Sequence, residues 1–107
     1  MACAIRHMPR FVRRVDEHWN WLAVRHGIGR ADAWEEAAFS RADSLAAMPE
    51  SFALCLDPKV QDRGLREARF GTGKTETHRL IFRVRGPVVE VLTVRGLSQR
   101  DLTSRDL

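Results

Sequence analysis

Two consecutive segments in the second half of the chain constrain the fold more than anything else in it. From His78 to Arg85, Leu80, Phe82 and Val84 fall on one side of an extended strand and Arg79, Ile81, Arg83 and Arg85 on the other. Gly86 and Pro87 then force a tight reversal. Val88 to Arg95 returns as a run rich in the β-branched residues that favour a pleated sheet. A third stretch, Leu65 to Phe70, alternates in the same way, with Leu65, Glu67 and Arg69 opposite Arg66, Ala68 and Phe70. Such a meander has one apolar face, and that face needs a cover.

The first half supplies it. Cys3 to His7 is a short candidate strand, and Pro9 suits the first turn of a helix, where its missing N–H costs nothing. Phe11, Val15, Trp19, Leu22 and His26 then recur at helical spacing. Gly27 and Gly29 provide the turn, and Ala31, Trp34, Ala38, Ala42 and Leu45 trace a second stripe that Pro49 ends at about Met48. Two helices so closely joined pack as an antiparallel hairpin. Glu50 to Gly64 has no period and reads as a loop. The expected fold class is therefore α+β, an antiparallel β-sheet packed against an N-terminal α-helical hairpin in the order β-α-α-β-β-β. It forms one domain over residues 1–107, with the polar stretch Ser98 to Leu107 expected to fray.

Charge separates the halves. Residues 59–100 carry ten Lys or Arg against four Asp or Glu, whereas residues 1–58 carry seven against eight. The positive field thus belongs to the sheet, whose arginine-bearing face is expected to stay open as a docking surface for an acidic protein segment or a nucleic-acid backbone. At 44% hydrophobic and 30% charged residues, the composition is that of a folded soluble protein. No apolar run exceeds Phe52 to Leu56, and Arg6, His7 and Pro9 interrupt any signal-peptide core, so the expected location is cytoplasmic, with no membrane contact. Cys3 and Cys55 have neither disulfide-scaffold nor metal spacing and read as incidental thiols.

Several chemistries are unsupported. Gly71-Thr72-Gly73-Lys74-Thr75 looks like the end of a P-loop, but Ala68 stands where the leading glycine belongs and a strand, not a helix, follows. No two of His7, His18, His26 and His78 form a metal-binding pair, so no metal or other cofactor is expected, and these histidines read as surface or helix-flank residues. No serine sits in a glycine-framed elbow. The absence of tyrosine also weakens any base-stacking sheet.

The ordered set of elements, with Pro49 after the helices, then "LREARFG", "HRLIFRVRGPVVEVLTVRG" and "QRDL", resembles the RelE/ParE toxin superfamily of bacterial toxin-antitoxin systems, especially its ParE-like plasmid-stabilisation branch. The likeness spans nearly the whole chain. His78-Arg79-Leu80-Ile81-Phe82 and Val89 to Arg95 stand at the places of the family's strand motifs. The resemblance implies a small toxin wrapped by a cognate antitoxin, targeting either DNA gyrase or, in nuclease members, messenger RNA on the ribosome. Arg79, Arg95 and Arg100 are the candidate catalytic cations if the chain is a nuclease. Cutting RNA also needs proton-transfer groups. Where nuclease members often carry His or Tyr, this chain has Val94-Arg95-Gly96, leaving Glu67 or His78 as substitutes, so a gyrase-directed toxin is preferred. A degenerate fold that only binds its partner is the third alternative. In it Arg79, Arg83, Arg85 and Arg95 merely solvate the sheet. Trp21, off the first helical stripe, and Phe39, at the edge of the second, are either half-buried core residues or, with Arg83 and Arg85, partner-binding contacts.

Overall fold

A computed structural model describes residues 2–107. The chain runs β1 (Ala4–His7), α1 (Pro9–His26), α2 (Ile28–Ser44), β2 (Arg66–Phe70), β3 (His78–Arg85) and β4 (Val88–Gly96), with single 3-10 turns at Pro49–Ser51, Gln61–Arg63 and Ser104–Asp106. The two helices cover one face of a four-stranded sheet of order β1-β4-β3-β2. The expected α+β architecture is present, and the meander β2-β3-β4 is antiparallel. β1 joins it parallel to β4, pairing Ala4 with Val88 through His7 with Val91, so the sheet is mixed.

Pro9 opens α1, and Phe11 and Val15, one turn apart, are its buried residues. His26, placed on the stripe by spacing, is exposed at the helix end. The hairpin turn needs only Gly27, whose φ of 91° is open to glycine at little cost, whereas Gly29 lies within the first turn of α2. Ala31, Trp34, Ala38 and Ala42 of α2, and Leu45 just beyond its end, are all buried as the stripe predicts. This helix ends at Ser44 rather than Met48. Its last turn tightens first: the Leu45 and Ala46 amides donate to Ala42 and Asp43, three residues back, and the Ser44 hydroxyl donates to the Arg41 carbonyl. Pro49 instead starts the following 3-10 turn.

Leu80 and Phe82 of β3 and Val89, Val91 and Val94 of β4 form the helix-facing core with Ala68 and Phe70. The step from Val91 to Val94 is possible because a bulge pairs Ile81 with Thr93 and Phe82 with Val91, turning Leu92 to the other side. The β2–β3 connection containing Gly71 to Thr75 leads straight into a strand, so no phosphate-binding helix start is formed.

The opposite face is not open along its length, in contrast to the expectation. Cys55, Val60, Leu65, Ile81, Leu92 and Leu102 form a second buried cluster, with Met8 and Leu107 packed on it. The segment before β2 and the C-terminal segment are its lid. The tail expected to fray is pinned there, because Leu102 is fully buried and Asp106 closes a capping box with Thr103. Leu102 in its hole, Leu107 beside it and Asp106 together order a stretch that is otherwise polar. No helix among the described residues is long and apolar enough to cross a membrane.

Candidate functional site

The seven sequence-derived candidates do not form one site. Arg79 and Arg95 are directly opposite each other on β3 and β4, and Arg95 shares Asp106 with Arg100, so the three candidate catalytic cations do converge. They converge in ion pairs. Arg79 donates two parallel hydrogen bonds to Asp57, at 2.9 Å and 2.6 Å, and a third to Glu67 at 3.1 Å, with both members of the Asp57 pair only 11% exposed. The second Asp57 oxygen also accepts from the Leu102 amide at 2.7 Å, so this carboxylate ties β3 to both parts of the lid. Arg95 lies 3.3 Å from Asp106 and donates to the Arg100 carbonyl at 2.7 Å. Arg100 grips Asp106 through both its terminal nitrogens while its side chain remains largely exposed.

Arg83 and Arg85 lie toward the other end of β3 and converge with Arg6 on Glu90, at 2.6, 3.5 and 3.8 Å. Three guanidiniums around one carboxylate leave a basic patch there. Phe39 is half-buried, packed edge-on against Phe11 and His7. Trp21 is 46% exposed, with the His18 ring stacked near it and the Arg25 guanidinium 4.4 Å above it.

Trp21 stands at the mouth of a cleft of about 1050 Å³ between the helices and the ends of β3 and β4. His18 of α1, Trp34 of α2 and His78 of β3 make its aromatic wall, and Arg95, Gly96, Ser98, Gln99 and Arg100 also line it. The rings of His18 and His78 are 4.7 Å apart, and Trp34 contacts both. His78 Nδ1 accepts from the Thr77 hydroxyl at 2.8 Å and from the Trp34 indole at 3.4 Å, which leaves its proton on Nε2. Burial, reinforced by His18, pushes His78 down to about 4, and burial also lowers His18. Neither imidazole is charged at neutral pH.

The sequence treats these histidines as peripheral, and the structure corrects that. His18 follows Val15 by three and precedes Leu22 by four, so it lies on the buried line Phe11-Val15-His18-Leu22, a signal present in the spacing. Its meeting with His78, sixty residues on, has no local signal. The distinctive acid response of the fold follows from these groups. His78 titrates lower in the folded chain than its usual 6.5, so its contribution to stability is complete above 6.5 and is lost as pH falls toward 4. Asp57 is held at about 2 by the Arg79 hydrogen bonds. At Asp106 burial works upward, but bonds from Arg100 and Thr103 outweigh it and hold the group at about 2. Both carboxylates stabilise fully above 3.8 and lose their effect as pH falls through 2. Denaturation measured across pH is expected to show two successive losses, and His78→Asn should shrink the first, to which the lowered His18 also contributes, while leaving the second.

The chain is thus an α+β protein with a helical hairpin on one face of a mixed four-stranded sheet. Its fold is similar to that of a chain from the chromosomal ParDE TA system from P. aeruginosa, with a TM-score of 0.73 at 13% identity over 91% of this chain and 98% of that one. A mutant of E. coli toxin RelE in the free state aligns at a TM-score of 0.48 and 17% identity, over 88% of this chain and 82% of that one. No curated protein matches the sequence. The family model for the ParE toxin of the type II toxin-antitoxin system parDE matches residues 5–100, and the chain belongs to that family.

Proposed function

We propose that this chain is the growth-inhibiting toxin of a toxin-antitoxin pair, acting through DNA gyrase rather than by cutting RNA, and neutralised by a cognate antitoxin. One observation carries the choice against RNA cleavage: the arginine on which it would depend, Arg79, is held by Asp57 and Glu67 and faces away from His78. Consecutive strand residues point to opposite sides of a sheet, so His78 lies on the helix side and Arg79 under the lid. Glu67, the other substitute base, is bound to Arg79.

The cleft does bring two imidazoles near Arg95 and Arg100, the composition a phosphodiester-cleaving site would use. Self-cleavage of RNA needs a protonated group for the leaving oxygen as well as a base. With His18 and His78 both shifted downward, the acid is missing at neutral pH, and arginine does not give up its proton. Support therefore goes to a toxin that works by binding.

Induction of the chain alone in bacteria is expected to arrest growth, and co-expression of a cognate antitoxin should restore it. Normal growth with soluble, folded protein would instead favour a fold kept only for partner binding.

A further inference from the structure

The lid neutralises the middle of the arginine face but leaves a cationic cluster open at either end. At one end Lys59, Arg100, Thr103, Ser104 and Arg105 line a recess of about 440 Å³ between the two lid segments. Asp106 answers Arg100 there, whereas among the described residues Lys59 and Arg105 have no carboxylate within ion-pair distance. At the other end Arg6, Arg83 and Arg85 surround the single carboxylate of Glu90, and the Arg6 and Arg85 side chains stay 66% and 65% exposed. Each cluster therefore keeps an excess of two positive charges.

The strand sets their separation. Arg79, Arg83 and Arg85 share one face of β3, Arg79 is paired with Arg95, and Arg95 shares Asp106 with Arg100, so the recess lies at the Arg79 end. The second cluster begins four residues along and ends six along, which at about 3.3 Å per residue is roughly 13–20 Å. That is enough to reach across the major groove of duplex DNA, about 12 Å wide.

The residues absent from this face narrow its occupant. The three tryptophans lie on the helices, and Phe52, Phe70 and Phe82 pack in or against the helix-side core, so unpaired bases find no stacking platform. The recess has no apolar side chain in its lining, so a peptide anchor has nothing to pack on. Phosphodiester oxygens need only the cations and the Ser104 hydroxyl.

We propose that the lid side of the sheet binds the backbone of duplex DNA without regard to sequence. Lys59, Arg100 and Arg105 hold phosphates on one side of a groove, and Arg6, Arg83 and Arg85 hold them on the other. DNA alone is the partner, so the contact stands or falls apart from the choice of gyrase as target.

The test is fluorescence anisotropy of a labelled duplex two helical turns long, titrated with the full chain between about 50 and 200 mM salt. Lys59→Gln with Arg105→Gln, and separately Arg85→Gln, remove exposed cations while leaving the buried pairs of Arg79 and Arg95 in place. Arg13→Gln with Arg30→Gln, exposed on the helices, is the charge-matched control, and thermal melting verifies that every variant folds. Wild type is expected to bind at low salt and to weaken steeply as salt rises. The recess variant should bind about tenfold more weakly and flatten the plot of log K against log salt by about 1.8, Arg85→Gln should flatten it by about 0.9, and the control should run parallel to wild type. Absence of binding at low salt, or a control as weak as the recess variant, overturns the assignment. Tighter binding of a thymidine oligonucleotide than of the duplex overturns it in favour of single strands, and polyglutamate competing as well as unlabelled duplex overturns it in favour of an acidic protein. Inorganic phosphate that displaces the duplex beyond chloride of equal ionic strength also overturns it, marking the recess as a free-anion pocket.

Discussion

Arg79→Ala is expected to lower the unfolding free energy by about 3–5 kcal/mol, the cost of leaving the partners of a buried ion pair uncompensated. Among the described residues the guanidinium is the only cation that Asp57 and Glu67 contact, and both carboxylates are nearly enclosed, at 11% and 15% side-chain exposure. Removing it also loosens Asp57, which holds the Leu102 amide, so the damage spreads to the lid over the second cluster. Arg79→Lys should recover only part of the loss, because a single ammonium cannot reproduce the paired hydrogen bonds to Asp57. Urea denaturation measures this directly, with Arg63→Ala within about 0.5 kcal/mol of wild type as the surface reference. A catalytic role for Arg79 predicts the reverse pattern, unchanged stability and abolished messenger cleavage.

Deletion of residues 101–107 is expected to be larger still. It removes Leu102, whose side chain alone accounts for about 2–5 kcal/mol on truncation to alanine in a packed core. It also removes Asp106, the carboxylate opposing Arg95 and Arg100, leaving Arg95 buried without a counter-charge. Against a total stability of about 5–15 kcal/mol for a domain of this kind, the truncated chain should lose cooperative unfolding and expose the cluster around Ile81 and Cys55. Circular dichroism melting and amide exchange at Ile81 report it, and Leu102→Ala grades the effect. A frayed tail would make both changes silent.

The parts of this fold that local spacing encodes were readable in the sequence, and the parts made by distant segments were not. Leu80, Phe82 and Val84 alternate with Arg79, Ile81, Arg83 and Arg85, so the strand His78–Arg85 and its helix-facing side follow from a period of two. The alanine stripe of α2 and Pro9 at the head of α1 are likewise local. By contrast, the bulge at Leu92 breaks alternation where the sequence Val-Leu-Thr-Val gives no sign, and the parallel seating of β1 beside β4 depends on chain path rather than on residue type. The fate of the arginine face depended on Asp57 and Asp106, single carboxylates in stretches without periodicity. A count of charges along residues 59–100 misses both, and they neutralise the two most central arginines. The aromatic cleft was half visible. His18 lies on a legible line of α1, but its contact with His78 exists only after the sheet has folded under the helices.

The most direct test of the account is incubation of the purified chain with DNA gyrase, supercoiled plasmid and ATP, alongside translating ribosomes loaded with a defined messenger. Gyrase-dependent accumulation of cleaved plasmid with the messenger left intact is the predicted result. Cut messenger in the ribosomal sample, with gyrase turning over normally, would contradict it.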